Sequence, residues 1–254
     1  MPRNARVRSN TGIYHIILRG INRQNIFEDE EDCIKFLETI AVYKQKCGFQ
    51  IYAYCLMGNH LHLLIKEGNE ELGLVFRRIG ASYVYWYNWK YKRSGHLFQD
   101  RYKSEAVEDE NYLLTVIRYI HQNPLKAKIV EDIAKYRWSS YSEYIDGNKI
   151  CDTDYVLKIF SENNLLALEK FKKFMYDKSE DKVLDIQDEN FRLTDEEAKG
   201  IIKKICKTSN IAEFQKLDLS KKDKYIKVLR DSGISTRQLA RLTGVSRSII
   251  MKIT

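Results

Sequence analysis

The sharpest chemical feature of the chain is the run Gly58-Asn59-His60-Leu61-His62-Leu63-Leu64. Side chains alternate between the faces of a strand, so His60 and His62 share one face and Leu61 and Leu63 the other. Two adjacent neutral imidazoles can share a divalent cation, while the leucines anchor the strand in a core. The plainer alternative is a pair of half-exposed histidines. A second polar pair lies in residues 109–124, DENYLLTVIRYIHQNP. Asp109 suits a helix N-cap, and Leu113, Ile117 and Ile120 form an apolar stripe. Pro124 is expected to end the helix, because its ring disfavours an α conformation at Asn123. Tyr119 and Asn123 are four apart and share a face near the helix C-terminus. A phenol and an amide carbonyl one turn apart can put a nucleophile beside a metal ligand. The plainer alternative for Tyr119, one of 17 tyrosines, is a core residue.

The elements around these residues alternate in type. Residues 12–20 (GIYHIILRG) read as a strand bounded by glycines. Residues 30–46 carry apolar side chains at 33, 34, 37, 40, 41 and 43, a helical spacing. Phe49 to Met57 is a second strand, Gly58-Asn59 a turn, and His60 to Ile65 a third strand. Glu70 to Tyr91 is a long helix, Gly95 to Val107 a strand pair or an irregular segment, and Asp109 to Gln122 a further helix. This order predicts an α/β (α+β) fold with an antiparallel sheet and helices on one side.

The net charge of +8 suggests an anionic partner, and its distribution divides the chain. Residues 1–146 carry a net charge of +3, residues 147–198 a net charge of −5, and residues 199–254 a net charge of +10. We therefore expect a catalytic domain over 1–146, an acidic connector over 147–198 that is helical around Val156–Tyr176, and a basic domain over 199–254. Residues 236–254 read as a small all-α helix-turn-helix. Ala240 allows a close helix crossing, Gly244 turns the chain, and Leu239, Val245, Ile250 and Ile253 can bury. Tyr225–Arg230 supplies a preceding helix. Ser246 would cap the second helix, whose first residues, Arg247 and Ser248, would face a major groove. Gln238, Ser246, Arg247 and Ser248 are the candidate DNA contacts of this domain.

No run approaches the ~20 apolar residues of a membrane helix. The first residues lack the apolar stretch of a secretory signal. The five scattered cysteines contain no CxxC pair and suit reduced thiols. A cytoplasmic, nucleoid-associated protein without a membrane partner is expected.

Five segments together resemble the HUH-type single-tyrosine transposases, above all the REP-associated tyrosine transposases. They are YHIILRGINRQNIF (14–27), AYCLMGNHLHLLI (53–65), SGHLFQDRYKSEAV (94–107), YLLTVIRYIHQNPLKAKIV (112–130) and YRWSSYSEY (136–144), and the resemblance covers about half the chain. It implies a ferredoxin-like domain that cleaves and rejoins single-stranded DNA beside a small hairpin. His60 and His62 would be ligands of Mg2+ or Mn2+, Asn123 would take the third ligand position, and Tyr119 would be the nucleophile that forms a 5′-phosphotyrosine. No general base for Tyr119 can be named from the sequence. Arg19, Arg101 and Lys103 are candidate phosphate contacts. His15 is either near the site or an ordinary strand histidine, and His121 lies off the Tyr119 face.

Between Arg77 and Lys103, seven basic residues are interleaved with Tyr83, Tyr85, Trp86, Tyr87, Trp89 and Tyr91, a pattern that suits unpaired bases or a helix core. The competing function is a domesticated relative that binds hairpin or repeat DNA without cutting. A replication or conjugation nickase is a weaker alternative. Monomer and homodimer are both open.

Overall fold

In the computed structural model, which describes residues 7–147, 149–177, 183–185, 195–208, 211–234 and 236–253, the first strand fixes the layering of the domain. Strand β1 (Ile13–Arg19) is followed by α1 (Glu30–Cys47), β2 (Gln50–Met57), β3 (His60–Lys66), α2 (Leu72–Lys90) and β4 (Lys103–Val107). The four strands form one antiparallel sheet in the order β2-β3-β1-β4. This is the β-α-β-β-α-β arrangement of ferredoxin-like folds. Alternate residues of β1 go to opposite faces. Ile16 and Leu18 join Leu61 and Leu63 beneath α1 and α2, where Phe36, Ile40, Val75 and Ile79 close the cluster. Asp29 caps α1 through a reciprocal capping box with Asp32.

The helices are not confined to one side, as the order of elements had suggested. The second face is covered by α3 (Glu110–Lys126), with α4 (Tyr141–Asp146), α5 (Thr153–Phe160) and α6 (Asn164–Tyr176) packed around it. The reason lies in the strands: runs such as IYHIILR are apolar at successive positions, and burial along β1 and β2 is nearly continuous. A sheet with two apolar faces needs two covering layers. Within the acidic stretch 147–198, α5 and α6 contribute Val156, Phe171 and Met175 to this second core. A buried carboxylate, Glu143 of α4, ties the approach to α5 in place. It accepts the backbone N–H groups of Lys149, Ile150 and Cys151 at 2.7–2.9 Å and the Tyr54 hydroxyl at 2.8 Å.

Pro124 does not end α3; it lies inside the helix, which runs two residues further to Lys126. Proline removes one donor, but the N–H groups of Ala127, Lys128 and Ile129 bond to the carbonyls of Asn123, Leu125 and Pro124 and hold the last turn. Asn123 therefore stays helical, one turn beyond Tyr119. Asp109 caps the other end by accepting the Tyr112 N–H.

The chain divides into two compact units, Met1–Ile186 and Gln187–Thr254. The second consists of α7 (Asp195–Cys206), α8 (Ile211–Gln215), α9 (Leu219–Asp231), α10 (Thr236–Thr243) and α11 (Arg247–Ile253). Its core gathers Ala198, Ile202, Phe214, Ile226, Leu229, Leu239 and Ile250. Gly244, with φ +71°, makes the turn between α10 and α11. Among the described residues, no helix is long and apolar enough to cross a membrane.

Candidate active site

The register of the sheet gathers the polar residues on the face that α3 covers. Directly opposed residues share a face. Arg19 pairs with His60, Ile17 with both His62 and Lys103, and His15 with Leu64 and Glu105. His60 and His62 present their rings side by side, with centroids 5.1 Å apart. Tyr119 descends from α3 onto them. Its ring stands edge-on to His62 at 5.6 Å and to His15 at 6.0 Å. The Lys126 ammonium lies 4.7 Å from its centroid. Asn123 bonds back to the Tyr119 carbonyl through its side-chain amide at 3.4 Å. His60, His62, Tyr119 and Asn123, more than fifty residues apart in sequence, are thus brought to one place by β3 and the end of α3.

The histidines are held in a chain. His60 Nδ1 lies 2.6 Å from the Asn59 side-chain oxygen, which makes Nδ1 the donor. His62 Nδ1 lies 3.0 Å from His15 Nε2. His15 and His62 are both fully buried. Burial pushes His15 down to about 3, and burial, together with the neighbouring imidazoles, holds His62 well below the ordinary histidine range. Both rings are therefore neutral. His62 Nε2 and His15 Nδ1 are buried without a hydrogen-bond partner. When His62 donates from Nδ1, its Nε2 carries a lone pair, which a cation would satisfy. Second-layer hydrogen bonds of this kind fix the tautomer of metal-binding histidines. Two imidazole nitrogens and an amide oxygen suit a divalent cation. Among the described residues, no group of three His, Cys, Asp or Glu forms a cluster that could hold a metal.

Tyr119 is only 5% exposed. Burial pushes its hydroxyl up, the nearby Asp185 carboxylate acts in the same direction, and the Asn123 side chain acts the other way. Asp185 was missed at the level of sequence. It lies in the acidic connector beyond the part read as helical, and only the fold carries it towards Tyr119.

The three candidate phosphate contacts of the first unit also meet. Arg19, Arg101 and Lys103 line one cavity of about 210 Å³ with Ile17, Gln99 and Asp100, beside the His60 end of β1. The aromatic run of α2 divides. Tyr83 and Tyr87 are core residues whose hydroxyls donate to the Ile26 and Asn25 carbonyls. Lys90 ion-pairs with Asp29, Glu31 and Asp32. Tyr85 and Trp89 remain exposed at 79% and 73%. His121 is buried away from Tyr119, with its Nε2 2.8 Å from the Ser140 hydroxyl.

In the second unit, Ser246, Arg247 and Ser248 are exposed at the start of α11, and the two serine hydroxyls are 3.1 Å apart. Gln238 departs from its expected role: it is buried at 8% exposure, so its side chain packs inside the unit and is not offered to a duplex.

Residues 9–123, which hold the sheet, both histidines and Tyr119, match the family described as "Transposase IS200 like". That match spans a little under half of the chain. Over 116 residues the chain is 25% identical to a Haemophilus influenzae protein named as a REP-associated tyrosine transposase. That match covers 40% of this chain and 65% of the relative, so the chain spans less than two thirds of that relative's length. Among solved structures, a REP-associated tyrosine transposase bound to a REP hairpin matches with TM-score 0.50 and 17% identity, over 61% of this chain and 96% of that one. At that identity the likeness speaks for the fold. A Deinococcus radiodurans protein described as a transposase matches with TM-score 0.34 and 15% identity, over 48% of this chain and 97% of that one.

Proposed function

We propose that the protein is a transposase that cleaves and rejoins single-stranded DNA, with Tyr119 as the nucleophile. The observation that carries this reading is the Tyr119 ring packed against a buried, neutral His62 whose Nε2 has no hydrogen-bond partner. The substrate we propose is a DNA hairpin together with the single strand beside it; the structurally similar transposase is bound to a REP hairpin.

Each residue has a role that its chemistry supports. His60, His62 and Asn123 would hold Mg2+ or Mn2+, and the bound cation supplies charge stabilisation at the scissile phosphate. The phenol oxygen of Tyr119 attacks phosphorus, leaving a 5′-phosphotyrosine and a free 3′-hydroxyl. The tyrosyl ester retains the energy of the phosphodiester, so a 3′-hydroxyl can reverse the step and join new ends. Arg19, Arg101 and Lys103 fix the backbone on either side. In the second unit, Ser246, Arg247 and Ser248 at the head of α11 would contact duplex DNA.

The test is a denaturing gel of the protein incubated with labelled hairpin DNA and Mn2+. A covalent adduct is expected from the native chain and none from Tyr119→Phe. Hairpin binding with no adduct would instead support the non-cutting relative.

A further inference from the structure

Resting on the reading of single-stranded DNA as the substrate, we propose that a groove between α2 and residues 96–102 receives an unpaired base of the strand beside the hairpin, with Arg77 and Arg101 on the phosphates that flank that base. The groove encloses about 790 Å³. Clefts that hold small organic ligands span roughly 300–1,000 Å³. Its floor on α2 is built of small residues, Gly73, Gly80 and Ala81, with the Phe76 ring beside them. The opposite wall carries the Phe98 and Tyr102 rings, both half-buried. The Phe76 and Tyr102 rings pack with centroids 4.9 Å apart. A Cβ on Gly80 would lie 3.9 Å from the Phe98 ring, so a longer side chain there would close the groove. Glycine is a poor residue for a helix interior, so the helix itself does not account for Gly80.

Two observations identify the occupant. The first is continuity with the candidate active site. The groove shares Gln99, Asp100 and Arg101 with the cavity that Arg19 and Lys103 line. This shared wall is stitched to the end of β1: the Gln99 N–H donates to the Arg19 carbonyl and the Ile21 N–H to the Leu97 carbonyl, both at 2.8 Å. Arg19 is in turn the register partner of His60. A strand whose phosphates lie on Arg19, Lys103 and Arg101 therefore passes the mouth of the groove at Arg101. The second observation is charge. Arg77 and Arg101 line the groove and are exposed. Arg78 is tied to Glu70 at 2.7 Å, whereas Arg77 has no ion-pair partner among the described residues. Asp100 is the one acid among the described lining residues, and its carboxylate accepts the Arg101 backbone N–H at 2.7 Å. Aromatic walls with cations at the rim suit a flat, unpaired base on an anionic backbone: the rings stack on the base, and the guanidinium groups hold the phosphates.

The test measures binding of the full chain, without metal, to a labelled DNA hairpin bearing a single-stranded tail and to the same hairpin without one. Abasic sites are scanned along the tail, placed on each side of the hairpin in turn. At one position, loss of the base should weaken binding about 5- to 150-fold, the worth of one stacked base. Gly80→Leu, which fills the groove, should weaken binding of the tailed DNA by a similar factor, erase the sensitivity at that position and leave the tailless hairpin unchanged. Arg77→Gln changes an exposed side chain and leaves the packing alone. It should weaken binding of the tailed DNA and lower the slope of log affinity against log salt by about 0.7, while Arg78→Gln leaves the slope as it is. A flat abasic scan in the native protein gives the groove to another occupant and overturns the proposal. So does an abasic sensitivity that Gly80→Leu preserves, or a Gly80→Leu loss that is equal on both DNAs. Adduct formation is followed separately with Mn2+. A flat scan beside an adduct that Tyr119→Phe abolishes overturns this proposal alone. A sensitivity that Gly80→Leu erases, with no adduct from the native chain, overturns the reading of Tyr119 and leaves the groove in place. Failure to bind either DNA overturns both.

Discussion

Acid should unfold the first unit through its buried histidines. His15 and His121 are both fully buried, and burial pushes each down to about 3. In an unfolded chain a histidine takes up its proton at about 6.5. Between these values the unfolded state binds a proton that the folded state refuses. The stability that each neutral histidine permits is complete above about pH 6.5 and is lost as pH falls towards 3. From pH 7 to pH 5 the loss is about 2 kcal/mol per histidine, or roughly 4 kcal/mol for the two. His62, also held neutral, adds to the loss in the same direction. Domains of this kind have about 5–15 kcal/mol in total, so the effect is large.

The three tryptophans of the chain, Trp86, Trp89 and Trp138, all lie in the first unit, so their fluorescence reports its unfolding. Urea titrations at the two pH values should show the fall in the native protein and a fall smaller by about 2 kcal/mol in His121→Gln, which lacks one of the titrating rings. An equal fall in both proteins would mean that His121 is protonated within the fold and would refute the argument from burial.

Two further outcomes follow from the site. Replacing His15 by Leu removes the partner of His62 Nδ1 and should weaken Mn2+ binding about 10- to 100-fold in calorimetry, whereas unchanged affinity would separate His15 from the site. Replacing Arg19, Arg101 or Lys103 by Gln should each weaken binding of single-stranded DNA and lower the slope of log affinity against log salt by about 0.7, and an unaltered slope would show that the residue touches no phosphate.

Most of the first unit was legible because its strands and helices repeat with clean periods. The His-Leu-His alternation announced a strand with two imidazoles on one face, and Leu113, Ile117 and Ile120 announced a helix with a buried stripe. The second covering layer was less visible. It depends on reading IYHIILR as apolar on both faces, and short apolar runs of this kind do not declare how many layers they need. Pro124 misled because a local rule was applied where the backbone beyond it could still close a turn. Gln238 misled in another way: its position in α10 was visible, but whether its side chain faced inward was not. Asp185 had no local signal at all. Nothing in the spacing of an acidic stretch marks one carboxylate out from the rest, and its approach to Tyr119 depends on a segment returning across β4.

That dependence makes physical sense for a site of this kind. Three imidazoles and a phenol lie on the sheet face that α3 covers, and two of their ring nitrogens lack a hydrogen-bond partner. Burying polar groups without partners is destabilising, so such a face persists only where strong packing surrounds it. The packing comes from the apolar side of α3 together with α5 and α6, two helices whose sequence carries no chemical motif. The same covering layer removes water from Tyr119, which makes the phenol harder to ionise.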